Sequence, residues 1–130
     1  MLTKQLQDQR IKLWLDDLRK PENQQLQGRE FLCKNEKYCC LGRLCEIALL
    51  NGLTLDKRIR DNSRVDYDDA YGFIPYAVQE WIGLKSTNGD LCTDEKYETL
   101  TILNDKGLTF TQMADVIEQN KDKLFYKPTE

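Results

Sequence analysis

Tyr38-Cys39-Cys40-Leu41-Gly42-Arg43-Leu44-Cys45 is the stretch on which the fold of this 130-residue chain turns. Leu41, Leu44, Cys45, Ala48 and Leu49 recur along one helix face, and Gly52 stands where the residue after a helix belongs. The spacing predicts a buried helix over 41–51. Upstream, Gly28-Arg29-Glu30-Phe31-Leu32-Cys33 and Lys37-Tyr38-Cys39-Cys40 flank the polar Lys34-Asn35-Glu36, the pattern of a β-hairpin. A strand that runs straight into an apolar helix makes residues 38–45 the centre of the core, with Leu41, Leu44 and Ala48 expected against Trp14 and Ile117.

Working outward, Ile11, Trp14, Leu15 and Leu18 form one apolar stripe of a helix over 4–19, which Pro21 and the polar Glu22-Asn23-Gln24-Gln25 end. Asp56 to Asp69 is charged and reads as a loop or edge strand, with Val65-Asp66-Tyr67 positioned to pair with Tyr71-Gly72-Phe73 across Asp68-Asp69-Ala70. Pro75 opens a third helix with Val78, Trp81 and Ile82 inward, and Gly83-Leu84 reads as its Schellman stop. Ser86-Thr87-Asn88-Gly89-Asp90 is a turn by composition. Thr93 is placed to cap a fourth helix reaching about Asn104, with Tyr97, Leu100 and Leu103 inward and Asn104-Asp105-Lys106-Gly107 as its end. Thr109-Phe110-Thr111-Gln112 is a capping box, and Leu108 with Met113 is the accompanying staple of the last helix. The expectation is an α+β fold: an α-rich single domain over 1–130, with four to five helices, a small antiparallel β-hairpin sheet and a polar C-terminal tail from about 121.

Composition bounds the function classes. With 40% hydrophobic residues the chain is too apolar for disorder, and it has no run long enough for a membrane-spanning helix. The opening Met1-Leu2-Thr3-Lys4-Gln5 has neither the apolar run nor the cleavage site of a secretory signal, and five cysteines fit a disulfide framework poorly, so a reducing cytoplasm is expected. Residues 1–60 carry 12 Lys/Arg against 8 Asp/Glu, whereas residues 61–130 carry 7 against 14. All seven arginines fall in the first 64 residues. An overall net charge of −3 disfavours bulk nucleic-acid binding, but an arginine cluster suits a small phosphate or carboxylate.

No catalytic residue and no cofactor is assigned. Without histidine the chain has no Ser-His-Asp or Cys-His machinery and no imidazole ligand for a metal. Cys33, Cys39, Cys40 and Cys45 lack zinc-ligand spacing and are expected to be reduced and without metal, with Cys40 and Cys45 read as small core residues around the hairpin–helix junction. Asp66, Asp68 and Asp69 lack the calcium-loop pattern and read as a solvated charged loop. Trp14 and Trp81 read as core. The ligand-binding candidates are Arg29, which Gly28 allows close to a ligand; Tyr38, as a stacking face across the hairpin; and Ser86, Thr87 and Asn88, as neutral hydrogen-bonding groups.

Several fragments carry a resemblance together: Trp14-Leu15-Asp16-Asp17-Leu18-Arg19, Gln27-Gly28-Arg29, the 38–45 element, Ile74-Pro75 through Val78-Gln79-Glu80-Trp81-Ile82-Gly83-Leu84, Leu103-Asn104-Asp105, and Thr109-Phe110 through Ala114-Asp115-Val116-Ile117-Glu118. In this order they resemble a group of small proteins encoded by bacteriophages and prophages, whose hallmark is a Cys-Cys-Leu-Gly-x-Leu-Cys element. The resemblance spans most of the chain. It implies a cytoplasmic phage accessory protein, and a phage setting suggests counter-defence or host takeover. It carries over no catalytic residue. The leading expectation is a non-catalytic protein that binds a host protein or a small anionic, nucleotide-like metabolite. The alternatives are a small nucleotide-acting enzyme using carboxylate or lysine chemistry, and a self-associating homo-oligomeric module driven by its two oppositely charged halves. On the ligand reading, Arg29→Ala weakens an anionic ligand by about 1.5–3 kcal/mol with little change in melting temperature. Calorimetry with nucleotides, cyclic dinucleotides and ADP-ribose derivatives measures this directly.

Overall fold

The first helix, α1 (Lys4–Leu18), is capped by Thr3, whose hydroxyl accepts the Leu6 amide, and it buries the stripe Ile11, Trp14, Leu15 and Leu18. The structure, a computed structural model, describes residues 1–20, 25–27, 31–91 and 97–128. Next come β1 (Cys33–Lys34) and β2 (Lys37–Tyr38), an antiparallel pair with Cys33 opposite Tyr38. Asn35 and Glu36 form the two-residue turn with φ of 54° and 63°, the left-handed conformation that matches the twist of a tight hairpin. The stripe is as the sequence predicts. A hairpin stands where expected but is shorter, with Lys34 paired to Lys37 and Cys39-Cys40 belonging to the next helix start. The expected strand start at 28–30 lies outside the described residues.

Helix α2 (Cys40–Leu50) starts two residues after β2 and lies at the centre of the molecule, with Cys40, Leu41, Leu44, Cys45 and Ala48 fully buried. Its stop is a Schellman motif: the Gly52 amide bonds the Leu49 carbonyl and the Leu53 amide the Ala48 carbonyl. At its start Cys39 is the N-cap, its Sγ accepting the Gly42 amide at 3.3 Å. Gly42 has a packing reason, since a Cβ there would overlap the carbonyl oxygen of Leu32 on the incoming hairpin. The indole of Trp14 donates to the Cys40 carbonyl at 2.9 Å, and the Cys40 amide donates to Oδ1 of Asn104 at 3.1 Å.

A second small antiparallel sheet pairs β3 (Lys57–Ile59) with β4 (Val65–Tyr67). Here the expected pairing of 65–67 with 71–73 is replaced. Asp68 and Asp69, at φ 50° and 66°, turn the chain so tightly that only Tyr67 and Ala70 bridge, and Tyr71 gives its carbonyl to the Leu32 amide instead. Helix α3 (Tyr76–Ile82) follows Pro75, and the amides of Gly83 and Leu84 both fold back on the Gln79 carbonyl, as expected of the stop.

Helix α4 (Leu100–Lys106) begins later than the sequence suggests. Thr99 is its cap, accepting the Ile102 amide; the predicted cap Thr93 lies outside the described residues. The residues before it are extended, with Leu91 bonded to the Glu98 carbonyl and Asp90 bridged to Thr99, so Tyr97 stands 66% exposed rather than inward. The helix ends at Lys106 with Gly107, at φ 116°, as its C-cap donating to the Asn104 carbonyl, so 104–107 is the end the sequence predicts; Asn104 is in addition a buried hydrogen-bonding residue.

Helix α5 (Phe110–Gln119) carries the capping box between Thr109 and Gln112. Beyond it the chain is no free polar tail. A further turn, α6 (Lys121–Leu124), leads to buried Leu124 and Phe125, with Phe125 bridged to Leu84 and the Tyr126 amide bonded to the Gly83 carbonyl. Gln7 clasps this end, its Nε2 donating to the carbonyls of Ile82 and Tyr126 at 3.1 and 3.0 Å. The chain is therefore a small α+β domain with six helices and two two-stranded sheets among the described residues. Its accessible surface of 7376 Å² agrees with the about 7,000 Å² that scaling gives for a folded chain of this mass. No helix among the described residues is long and apolar enough to cross a membrane.

Since Leu44 is wholly enclosed, Leu44→Ala costs about 2–5 kcal/mol in chemical denaturation. Gly42→Ala costs more than a surface helix substitution of any kind, because backbone rather than a movable side chain blocks the added methyl; the same denaturation series measures it.

Candidate functional site

Three chain segments meet around one cleft. Residues 69–73 follow the Asp68-Asp69 turn; the 87–89 turn gives its Thr87 carbonyl to Ile74 at 3.0 Å and its Gly89 carbonyl to Leu100 at 2.8 Å; and the start of α4 closes the third side. Gly89, at φ 72°, lies against the Leu100 side chain where a Cβ has no room, which locks the turn onto the helix start. The cleft holds about 640 Å³, and Tyr71, Phe73 and Tyr97 stand on it with Thr87, Asn88, Thr99 and Thr101 between them. The three aromatic side chains remain 43%, 54% and 66% exposed. The Thr101 hydroxyl is buried and has no hydrogen-bond partner among the described residues.

Of the sequence candidates, Thr87 and Asn88 line this cleft. Ser86 does not line it: its hydroxyl bonds Oδ1 of Asn88 at 3.2 Å and accepts the Asp90 amide at 2.8 Å, so it shapes the turn. Tyr38 lies elsewhere. Its ring is covered by the Arg43 guanidinium at 4.8 Å, and Arg43 in turn makes a two-point ion pair with buried Asp17, both contacts 2.8 Å. Burial, and then Glu46, push the Tyr38 phenol up to about 12. Tyr38 is not among the aromatic side chains that stand on the cleft. Arg29 lies outside the described residues.

The residues missed by sequence reading are Tyr71, Phe73, Tyr97 and Arg64. The Arg64 guanidinium stacks 3.9 Å from the Tyr71 ring, and its Nε and Nη2 bond Oδ1 and Oδ2 of Asp66 at 2.9 and 3.2 Å. Arg60 reaches the same carboxylate at 2.7 Å. Asp66 is thus no solvated loop residue: its side chain is 3% exposed. Burial alone raises its carboxyl, but the hydrogen bonds from Arg64 and Arg60 outweigh that and hold it below the ordinary value. Asp68 is also engaged, accepting the Asp56 amide at 2.6 Å. The available signal was the pair of aromatics around Gly72 just beyond an Asp-Asp turn, which alternation alone reads as a strand.

The cysteines are core. Cys33, Cys39, Cys40 and Cys45 are free and buried. Burial pushes the thiols of Cys33 and Cys39 up to about 11 and about 12, and those of Cys40 and Cys45 well above the ordinary value. They are protonated at neutral pH, and a protonated, enclosed thiol is a poor nucleophile and a poor metal ligand. Among the described residues no group of three metal-ligating side chains converges. In a Cys92→Ser background, native protein at pH 8 therefore leaves a thiol reagent unreacted over minutes, and denaturant releases four reactive thiols; fast labelling in the folded state overturns this assignment.

No curated protein and no solved structure matches the chain. One family model does, over residues 7–121, and its description is "Domain of unknown function (DUF8296)". With most of its length matched, the chain belongs to the DUF8296 family.

Proposed function

We propose that this domain is a non-catalytic binding protein whose Tyr71–Phe73–Tyr97 cleft takes a small planar ligand of the nucleotide type. The observation that carries the reading is the cleft itself. Large aromatic side chains are ordinarily covered, yet three stand exposed around one concavity whose volume lies in the range of small-molecule sites. Aromatic faces bind flat rings by stacking, a base being the commonest flat ring with polar edges. Thr87, Asn88 and the Thr101 hydroxyl, which has no hydrogen-bond partner among the described residues, supply neutral hydrogen-bonding groups for such an edge. The resemblance to phage- and prophage-encoded proteins supports a setting in the host cytoplasm, where sequestering a host metabolite or signal would serve counter-defence or takeover. Exposed tyrosines are also the residues enriched at protein interfaces, and this supports docking of a host protein on the same cleft as the second reading.

Calorimetry with the four ribonucleosides and their 5′-monophosphates tests the first reading. Tyr97→Ala and Phe73→Ala each weaken binding by about 1–3 kcal/mol, the scale of one stacked base. Tyr76→Ala, which removes an exposed aromatic outside the cleft, leaves it unchanged. If no small molecule binds and a Phe73→Ala/Tyr97→Ala variant loses a host protein that the parent captures, the second reading replaces the first.

A further inference from the structure

The six described arginines all have acceptors within the fold, and their bookkeeping differs. Arg19 bonds Asp115 and Glu118, Arg43 bonds Asp17 and Arg58 bonds Asp56, so each of these guanidiniums has a carboxylate of its own. Arg10 donates to the Trp81 carbonyl and lies 4.5 Å from that ring. Arg60 and Arg64 are different: both converge on the single buried carboxylate of Asp66. Two guanidiniums share one buried carboxylate, so the pair draws on a second counter-ion. The second counter-ion is Asp69, which reaches Arg60 at 3.3 Å, the longest contact of the group, from a side chain 80% exposed.

This arginine pair borders the aromatic cleft through Tyr71 and Asp69. Neither guanidinium lines the cleft, but each touches a residue that does: Arg64 stacks on Tyr71, and Arg60 holds Asp69. Asp66 fixes both guanidiniums in orientation, so an anion arriving there orders little further. An exposed single-point pair such as Arg60–Asp69 contributes little, whereas a phosphate carries more charge and presents three oxygens to planar donors.

Resting on the cleft reading above, we infer that the ligand is a phosphorylated nucleoside: its ring lies against the cleft aromatics, and its phosphate binds the Arg60–Arg64 pair in competition with Asp69. The Asp69 carboxylate is the lip that the phosphate displaces. This gives the site a preference for anions despite the acidic composition of the chain, and it uses the arginine-rich half through Arg60 and Arg64 rather than Arg29.

The test is calorimetry on the intact chain with adenosine, guanosine, cytidine and uridine, each against its 5′-monophosphate. For at least one base the monophosphate binds at least about tenfold tighter than the nucleoside, the scale of a charge-assisted contact. Asp69→Asn, which removes the competing charge and keeps a residue type that tolerates left-handed backbone, raises the ratio of monophosphate to nucleoside affinity about two- to fivefold. Arg64→Gln brings the ratio of monophosphate to nucleoside affinity toward one, and a cooperative melting transition shows that the variant is folded. Equal affinity for nucleoside and monophosphate, or no rise in that ratio in Asp69→Asn, overturns the phosphate subsite and leaves the cleft reading standing. Absence of binding by every nucleoside and every monophosphate overturns both.

Discussion

The backbone of Cys40 is held from two sides, and the rest of the domain is arranged around that hold. Its amide is the first of the orphan donors at the start of α2, and Asn104 of α4 accepts it; its carbonyl accepts the indole of Trp14 from α1. Asn104 is fully enclosed and also donates to the Leu26 carbonyl and accepts from Gln25. One buried amide thus ties the start of the central helix to a helix more than sixty residues later and to the segment before the hairpin. A buried donor or acceptor left without its partner costs about 1–3 kcal/mol, so these links are cheap to keep and costly to break singly.

That junction explains the cysteine-rich element as packing rather than chemistry. Cys39 must be small, must adopt the extended cap conformation and must accept the Gly42 amide; Cys40 must fit where indole and carboxamide converge; Gly42 must leave room for the Leu32 carbonyl. Each position asks for a small side chain in an enclosed place, which a thiol satisfies without bringing a strong polar group inside.

The cleft is built by the opposite means. Its aromatic side chains come from irregular segments whose places are set by backbone bonds between remote turns: Ile74 to Thr87, Leu100 to Gly89, and Leu32 to Tyr71. Loops fixed on a rigid frame carry recognition because their side chains need not serve the core. The charge pattern follows the same division. Arg19 is engaged with Asp115 and Glu118 of the acidic half, Arg43 and Arg58 pair with Asp17 and Asp56 of their own half, and the two arginines that share Asp66 stand beside the cleft.

By itself the sequence determined the local structure. Helix stripes, the Asn35-Glu36 turn, the Gly83 stop, the Thr109 capping box and the burial of both tryptophans all rest on interactions within a few residues, which spacing records. The turn holding Thr87 and Asn88, which line the cleft, was legible because a run of small polar residues is marked by composition. Only the tertiary structure decided that Tyr97 faces out, that β4 pairs with β3, that Asp66 is buried between two arginines, that Asn104 is the cap of a distant helix, and that Tyr38 is covered by Arg43. Each of these depends on which remote partner reaches a polar group first. Local periodicity carries no record of that competition, because an amide, a carboxylate or an aromatic face has the same signature in sequence whether its partner is solvent, ligand or the far side of the fold.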